Sequence, residues 1–311
     1  MSNNAKSIYD DAEEMIKARI IDENKNSFPP DVVLETTTFC NLNCIMCTRD
    51  KLTRDKTKMR WPLYIKLIEE IAAKAKDTTR LWLCFFGEPL MDKQFTDRVI
   101  LAKQKGIKNV VINSNMNLMT EERSKELVKA GLNTVFVGFD AATADTYHKI
   151  RRGGNFEKTV KNILFYKKML EQYGQEDQQI VVQFVELPEN INEKEKAIEF
   201  WNSNGIRVKV RPIVTWQGAI GYKNSSEVRN RVACHWIMNI LPISADGYAA
   251  FCGCDYDAQG KCADLNKNTI EEVWNTVKKE QRRIQLAGEW ARLPVFCRNC
   301  EDWQGGYATY E

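Results

Sequence analysis

Histidine is almost absent from this chain: only two of its 311 residues are histidines, so imidazole can supply little of any metal site. Proline and glycine are also sparse, at 8 and 16 residues, which excludes collagen-like and low-complexity sequences. No apolar run approaches the roughly 20 residues of a membrane-spanning helix, and the polar N-terminal segment lacks the apolar stretch of a secretory signal. The sequence therefore favours a cytoplasmic protein without a membrane partner.

An excess of charge is missing as well, because 45 Lys and Arg residues balance 42 Asp and Glu residues to a net charge of +3. This balance argues against nucleic acid as the main partner. Cysteine, in contrast, is abundant, with ten residues. In a reducing compartment so many cysteines indicate metal or redox chemistry rather than disulfides. Since histidine is scarce, we expect thiolate ligands.

Apolar segments of strand length alternate with helical patterns along most of the chain. The predicted strands are 31–37, 81–86, 109–115, 134–140, 179–186 and 206–212. The predicted helices are 63–77, 95–106, 120–131 and 156–174, and the last three end at a glycine that suits a helix C-terminus. This α/β alternation predicts a parallel sheet covered by helices, and six strands are too few for a closed eight-stranded barrel. We therefore expect an open, partial barrel over residues 31–230.

Three cysteines are grouped directly after the first predicted strand, as Cys40-x3-Cys44-x2-Cys47. Three thiolates in so short a segment can hold an iron–sulfur cluster or most of a zinc site that borrows a distant fourth ligand. In a cluster, three ligands leave one iron without a protein thiolate. Such an open position allows the metal to bind and activate another molecule.

This CxxxCxxC motif resembles that of the radical S-adenosylmethionine (SAM) enzymes, and the resemblance covers nearly the whole chain. It implies a partial (β/α)6 barrel in which the three cysteines hold a [4Fe-4S] cluster. The open iron of that cluster binds SAM, and reductive cleavage of SAM yields a 5′-deoxyadenosyl radical that takes a hydrogen atom from the substrate. It also implies an external electron donor such as flavodoxin or ferredoxin.

Further motifs of the family recur in order, each with one replacement. Phe86 stands in place of the first glycine of Gly-Gly-Glu-Pro, Met116 in place of the glycine of Thr-Asn-Gly, and Gly138 in place of the serine of Ser-x-Asp. These motifs follow successive parallel strands, whose carboxyl ends lie at the ligand-binding side of such sheets. By this resemblance the SAM contacts are Met46 (adenine), Glu88 (amino group), Ser114, Asn115, Asp140 (ribose) and Arg151 (carboxylate).

The remaining cysteines are concentrated in residues 231–311, where a hairpin pattern turning at Asp246-Gly247 precedes a predicted helix over 269–288. This segment resembles the twitch domain, the shortened form of the SPASM domain of radical SAM enzymes. No cysteine follows the last pair, so we expect one auxiliary [4Fe-4S] cluster, with a zinc ribbon as the alternative. The four proposed ligands are Cys234, Cys252, Cys297 and Cys300. Residues 1–30 are expected to form an N-terminal helical extension.

The whole pattern most resembles the twitch-type dehydrogenases and epimerases that act on aminoglycosides and aminocyclitols. It implies hydrogen abstraction from a hydroxyl- or amine-bearing carbon of a small polar substrate, leading to epimerisation or to oxidation to a ketone. A peptide epimerase or maturase is the alternative, although the segment before the first strand is too short for the leader-recognition domain that many of them carry. A non-catalytic iron–sulfur electron carrier is a more remote alternative, since it would not need polar residues around an open cluster.

Cys254 is the candidate catalytic residue for epimerisation. It follows Cys252 by two residues in an extended segment, where such side chains point the same way. We therefore expect its thiol to face the auxiliary cluster or the adjoining cavity and to give a hydrogen atom to a carbon radical. Cys262 has no assigned role, and Cys84 is predicted to be a buried, inert thiol. The substrate candidates are Glu186, Arg211, Trp216, Gln217, Asp255 and Tyr256.

Overall fold

The computed structural model of the protein describes residues 27–223, 231–305 and 308–311. Most of the predicted N-terminal helical extension therefore lies outside the described residues. The strands are β1 (Asp31–Leu34), β2 (Arg80–Trp82), β3 (Asn109–Ser114), β4 (Thr134–Gly138), β5 (Gln179–Val185), β6 (Val208–Arg211), β7 (Ile240–Ile243), β8 (Tyr248–Ala249), β9 (Ala263–Asp264) and β10 (Thr309–Tyr310). The helices are α1 (Trp61–Ala75), α2 (Phe95–Gln104), α3 (Glu121–Lys129), α4 (Ala144–Ile150), α5 (Phe156–Tyr173), α6 (Lys194–Ser203), α7 (His235–Met238), α8 (Ile270–Asn275), α9 (Val277–Leu286) and α10 (Val295–Arg298).

All of these strands form one sheet, in the order β10-β6-β5-β4-β3-β2-β1-β7-β8-β9. Strands β1 to β6 are parallel neighbours in chain order, and helices α1 to α6 connect them. In this order β1 and β6 each pair with a strand from the C-terminal region instead of with each other. The predicted open, partial α/β barrel is therefore confirmed.

Most predicted elements form, but several boundaries differ. The strands end earlier than predicted, most clearly β2, which ends at Trp82, because the chain there leaves the sheet for the polar loops of the site. Gly106 and Gly131 end their helices with φ of 85° and 84°, as predicted, whereas Gly174 has φ −73° and is not a left-handed cap. The single helix predicted over 269–288 is wrong, since Thr276 (φ −115°, ψ −92°) separates α8 from α9.

The C-terminal region adds strands on both sides of the barrel sheet. Strand β7 pairs in parallel with β1, with Asp31 opposite Ile240, and the predicted hairpin returns to β8 through Gly247 at φ 96°. Near the C-terminus, β10 pairs antiparallel with β6. The cysteine-rich hairpin-plus-helix region is therefore continuous with the sheet.

Apolar side chains between the sheet and its helices form the main core. The predicted stripe on α1 is buried at Leu63, Leu67, Ile71 and Ala75. Across the residues that the structure describes, no helix is both long and apolar enough to cross a bilayer. The core thus fixes the strands so that their carboxyl ends carry the functional loops.

Candidate active site

The first cysteine group lies in the loop between β1 and α1, at the carboxyl end of β1. Its three thiols are free and half-buried. Two N–H groups face them: Asn115 Nδ2 lies 3.9 Å from Cys40 Sγ, and Arg151 Nη1 lies 3.7 Å from Cys44 Sγ. Burial raises the pKa of Cys40 and raises that of Cys47 to about 11. Since the thiolate is the metal-binding form, these cysteines need a bound cation to ionise at neutral pH.

Glu88 brings three of the predicted SAM contacts together. Its carboxylate is 3% exposed; Oε1 accepts a hydrogen bond from Ser114 Oγ at 2.7 Å, and Oε2 accepts one from the Asn115 main-chain N–H at 2.8 Å. Burial raises the pKa of Glu88, and these two hydrogen bonds oppose the rise. The carboxyl ends of β2 and β3 therefore present one acidic, hydrogen-bonded group beside Cys40.

The turn at Met116 has a backbone conformation that favours glycine. Met116, where the family has glycine, is fully buried and still adopts the left-handed conformation, with φ 59°. At Gly87 a Cβ would lie 2.0 Å from the Thr37 main-chain oxygen, so the second glycine of the loop is a steric necessity. The loss of one glycine at Met116 therefore does not remove the turn.

Asp140 and Arg151 form a buried ion pair with each other. Asp140 Oδ2 accepts from Arg151 Nε at 2.7 Å and also from Nη2, while Oδ1 accepts from the Val185 main-chain N–H at 2.7 Å. A Cβ on Gly138 would lie 2.2 Å from Arg151 Nη2, so a serine at this position would require the guanidinium to shift. Because two donors of Arg151 are committed to Asp140, only its Nη1 side is left to face the cysteine loop.

Five cysteines of the C-terminal region line one small cavity. They come from four places: the start of α7, the loop after β8, helix α10 and the turn that follows it. The lining cysteines are Cys234, Cys252, Cys254, Cys297 and Cys300. The two other thiols lie elsewhere: Cys262 donates to the Gly260 oxygen at 2.9 Å, and buried Cys84 accepts from the Asn113 N–H at 3.1 Å. The predicted burial of Cys84 is confirmed.

The surroundings of this cavity fit an iron–sulfur cluster. N–H groups face three of the thiols at 3.3–3.8 Å: Gln217 to Cys252, Gln285 and Arg231 to Cys297, and the Asp302 main chain to Cys300. Hydrogen bonds to cysteine sulfur are typical of cluster sites. In the described part of the chain, no three His, Cys, Asp or Glu side chains are grouped as ligands of a single metal ion. The thiols line a cavity, and the N–H groups that face their sulfur atoms are the feature that fits a cluster.

The predicted substrate residues have different roles in the structure. Asp255 is fully buried and accepts from three main-chain N–H groups of its own loop, so it organises that loop and is unavailable to substrate. Glu186 pairs with Lys194 at 3.1 Å. Arg211, at the end of β6, has a buried Nε without a hydrogen-bond partner among the described residues. It lies near enough to Asp140, Arg151 and Cys254 to interact electrostatically with all three.

A buried ion pair connects the two parts of the site, and sequence reasoning missed it. Glu35, fully buried at the end of β1, pairs with both terminal nitrogens of Arg54 at 2.5 and 2.7 Å and accepts from the Ala245 N–H at 3.1 Å. Arg54 Nε also donates to the Tyr256 oxygen at 3.0 Å. The one available signal was Glu35 itself, since a carboxylate in an apolar strand needs a partner.

Comparison with known proteins agrees with this geometry. Residues 34–207 match the Radical SAM superfamily, and residues 234–301 match SPASM, described as an iron-sulfur cluster-binding domain. The chain is 28% identical over 177 residues to a tungsten-containing aldehyde ferredoxin oxidoreductase cofactor-modifying protein of Pyrococcus furiosus, covering 56% of this chain and 48% of that protein. It is 25% identical over 205 residues to a probable GTP 3′,8-cyclase of Methanocaldococcus jannaschii, covering 64% of each. The chain thus spans less than two thirds of either relative.

Solved structures share the fold at low sequence identity. BtrN in complex with AdoMet and 2-DOIA has a TM-score of 0.62 and 16% identity, over 88% of this chain and 92% of BtrN. Streptococcus suis SuiB bound to the precursor peptide SuiA has a TM-score of 0.67 and 14% identity, over 91% of this chain and 74% of SuiB. The predicted cofactors follow from the two matched families: a [4Fe-4S] cluster that binds SAM, and auxiliary cluster binding in the SPASM domain. Since the first family match spans more than half of its residues, this chain belongs to the radical SAM superfamily.

Proposed function

We propose that the protein epimerises a small polar substrate, a sugar or an aminocyclitol, at a carbon that bears a hydroxyl or amine. The observation that carries this proposal is the position of Cys254. Its side chain is 1% exposed and lines the same cavity as the four cysteines proposed to hold the auxiliary cluster. Four thiolates complete the ligand set of a cubane cluster, so a fifth thiol at this cavity is available for chemistry.

On the SAM side, Cys40, Cys44 and Cys47 are the proposed cluster ligands. When bound and reduced, the cluster and SAM supply a 5′-deoxyadenosyl radical that takes a hydrogen atom from the substrate. Glu88 would accept hydrogen bonds from the SAM ammonium group through its remaining lone pairs. Met46, buried against Ile150 and Val185, would give the adenine an apolar surface.

The SAM ribose and carboxylate would lie beside the Asp140–Arg151 pair. Asp140 is fully buried at the end of β4, and its backbone is held in the left-handed conformation at φ 59°. Nη1 of Arg151 points towards Cys44, which is the side from which it would reach a carboxylate bound at the cluster. Ser114 and Asn115 keep the Glu88 carboxylate oriented.

Cys254 would complete the inversion. Loss of the substrate hydrogen atom gives a carbon radical; homolysis of the Cys254 S–H bond then forms a new C–H bond on the opposite face and leaves a thiyl radical. One electron and one solvent proton restore the thiol. Each turnover therefore consumes one SAM and two electrons, which an external one-electron donor of the flavodoxin or ferredoxin type would supply.

Arg211 is the proposed anchor for the substrate. It lies near enough to Asp140 and Arg151 on one side of the site, and to Cys254 on the other, to interact electrostatically with all three. A buried N–H without a partner has lost the hydrogen bond that it would make to water. An acceptor on the substrate would restore that bond to the guanidinium and so stabilise the complex. Hydroxyl and ether oxygens of a sugar or cyclitol provide such acceptors.

Dehydrogenation is the second candidate, because BtrN, whose fold this chain shares, was crystallised with AdoMet and 2-DOIA. There the substrate radical would lose one electron to the auxiliary cluster and one proton to a base to give a ketone, and Cys254 would have no role. Peptide modification is the third, because SuiB shares the fold and was crystallised with a precursor peptide. A cytoplasmic location, with its reducing conditions, fits each of these candidates.

The test is product analysis in deuterated water, with substrates selected by 5′-deoxyadenosine formation from a panel of glycosides, aminocyclitols and peptides. Wild type should incorporate one solvent deuterium at the inverted carbon. Cys254→Ala should still form 5′-deoxyadenosine but no inverted product, whereas the matched control Cys262→Ala should behave as wild type. A ketone formed equally well by wild type and Cys254→Ala would establish a dehydrogenase and refute the epimerase.

A further inference from the structure

Two consecutive residues, Trp216 and Gln217, contact both halves of the site. The Trp216 indole Nε1 donates to the main-chain oxygen of Met46 at 2.7 Å, and Met46 directly precedes Cys47. The Gln217 side-chain Nε2 lies 3.7 Å from Cys252 Sγ in the auxiliary cavity. One short loop after β6 therefore connects the cysteine loop of the SAM site to a proposed auxiliary ligand.

The backbone of this loop is strained. Trp216 and Gln217 both adopt left-handed conformations, with φ of 55° and 62°. Such conformations are costly for non-glycine residues and persist only where the surroundings enforce them. The two adjacent side chains of this loop contact different neighbours, Met46 and Cys252.

Buried Asp302 enforces the strained conformation. Its carboxylate accepts from the Thr215 main-chain N–H at 2.6 Å, the Thr215 hydroxyl at 2.8 Å and the Gln217 main-chain N–H at 2.7 Å. The main-chain N–H of Asp302 in turn faces Cys300 Sγ at 3.3 Å. The loop is therefore attached to the auxiliary cavity at two thiols, Cys252 and Cys300.

Trp216 also contacts the SAM-binding motif after β2. Its ring meets Phe86 edge to face, with the ring centroids 5.1 Å apart. Phe86 is the residue that replaces the first glycine of that motif, and it precedes the sterically required Gly87. The indole thus touches two loops of the SAM site at once, one through its N–H and the other through its ring.

We infer that Trp216 and Gln217 are positioning residues that hold the auxiliary cluster at a fixed distance from the SAM cluster, and that Gln217 raises the reduction potential of the auxiliary cluster. A hydrogen bond to a ligand sulfur stabilises the more negative, reduced cluster, and such bonds are among the features that set cluster potentials. This inference rests on the proposed assignment of Cys234, Cys252, Cys297 and Cys300 to that cluster.

The potential is tested in the full-length protein with Cys40, Cys44 and Cys47 changed to Ala, so that only the auxiliary cluster is loaded. Gln217→Met keeps the size of the side chain and removes the amide, and Gln259→Met, at an exposed glutamine of the same region, is the control. In an EPR-monitored redox titration, Gln217→Met should lower the reduction potential of the auxiliary cluster by at least 59 mV. This shift is a tenfold change in the equilibrium constant of the one-electron reduction. The control should not shift.

The positioning role is tested in the holoenzyme with both clusters reduced. Pulsed EPR should give one narrow distance between the clusters in wild type and a broadened distribution in Trp216→Phe, which keeps an aromatic ring and loses the N–H bond to Met46. An unchanged potential in Gln217→Met with full iron content, or an unchanged distance distribution, would overturn the inference and leave the cluster assignment intact. Failure of the parent triple variant to hold iron would refute the cluster assignment and the inference together.

Discussion

Glu88→Gln is the substitution that most directly tests the SAM site. The glutamine side chain has the same shape as glutamate, but it removes the negative charge that would face the SAM ammonium group. The surroundings can accept it: its amide oxygen can take the Asn115 N–H that Oε2 now accepts, and the Ser114 hydroxyl can rotate to accept from the amide nitrogen. Only the Leu90 N–H, now 3.2 Å from Oε1, loses its partner.

The expected loss of SAM affinity follows from the charge of the bond that is removed. Hydrogen bonds to charged groups contribute roughly 1.5–3 kcal/mol, and each 1.4 kcal/mol is a factor of about ten in the dissociation constant. The dissociation constant for SAM should therefore rise by about one to two decades. The fold should lose little stability, because burial already disfavours the charged carboxylate that the change removes.

The assay is equilibrium binding of SAM to the anaerobically reconstituted protein, with iron content measured on the same samples. Glu69→Gln is the matched control, since Glu69 is 53% exposed on α1 and pairs with Lys105 away from the site. It should leave SAM affinity unchanged. A dissociation constant for Glu88→Gln within twofold of wild type, at full iron content, would show that the ammonium group binds elsewhere.

Two further predictions concern the clusters and acid stability. Changing Cys40, Cys44 and Cys47 together to Ala should lower the iron content from about eight to about four atoms per chain and abolish SAM cleavage. The circular dichroism spectrum should not change. Zinc without iron in an anaerobic preparation would contradict the cluster assignment. Burial raises the pKa of Glu193, but hydrogen bonds from Thr146, Thr143 and the Ala142 N–H hold that pKa below its ordinary value. The stability that Glu193 adds at neutral pH is therefore lost as the pH falls through the lowered pKa. Glu193→Gln should make the free energy of urea unfolding fall less between pH 7 and pH 4 than it does in wild type, by an amount that solvent screening keeps small. An unchanged pH dependence would refute this role.

The sequence predicted the barrel because its strands are long enough to show a pattern. Six apolar segments alternating with helices identify β1 to β6, and the Asp246-Gly247 turn identifies the hairpin. Strand β10 was not predictable, because two residues carry no periodicity and pair with β6 only through the tertiary fold. The break at Thr276 was equally hidden, since no glycine or proline marks it in the sequence.

The motifs of the site were predictable to the extent that chain order determines position. Glu88 meets Ser114 and Asn115 because parallel strands carry their carboxyl ends to the same side of the sheet. Residues outside these motifs were not predictable from the sequence. Trp216 contacts Met46 across 170 positions of sequence, and nothing in the local spacing indicates that contact. Asp255 was misread as a substrate residue because an acid that binds main-chain N–H groups has no sequence signature of its own.

The two-sided attachment of the cysteine-rich region also affects how the chain resists aggregation. A barrel ending after β6 would leave β1 and β6 as exposed edge strands, each with a row of unpaired N–H and C=O groups ready to pair with another molecule. Here β7 covers one edge and β10 covers the other. The region that carries the proposed auxiliary ligands therefore also covers the edges of β1 and β6, so removing the ligands one by one and deleting the whole region are different experiments.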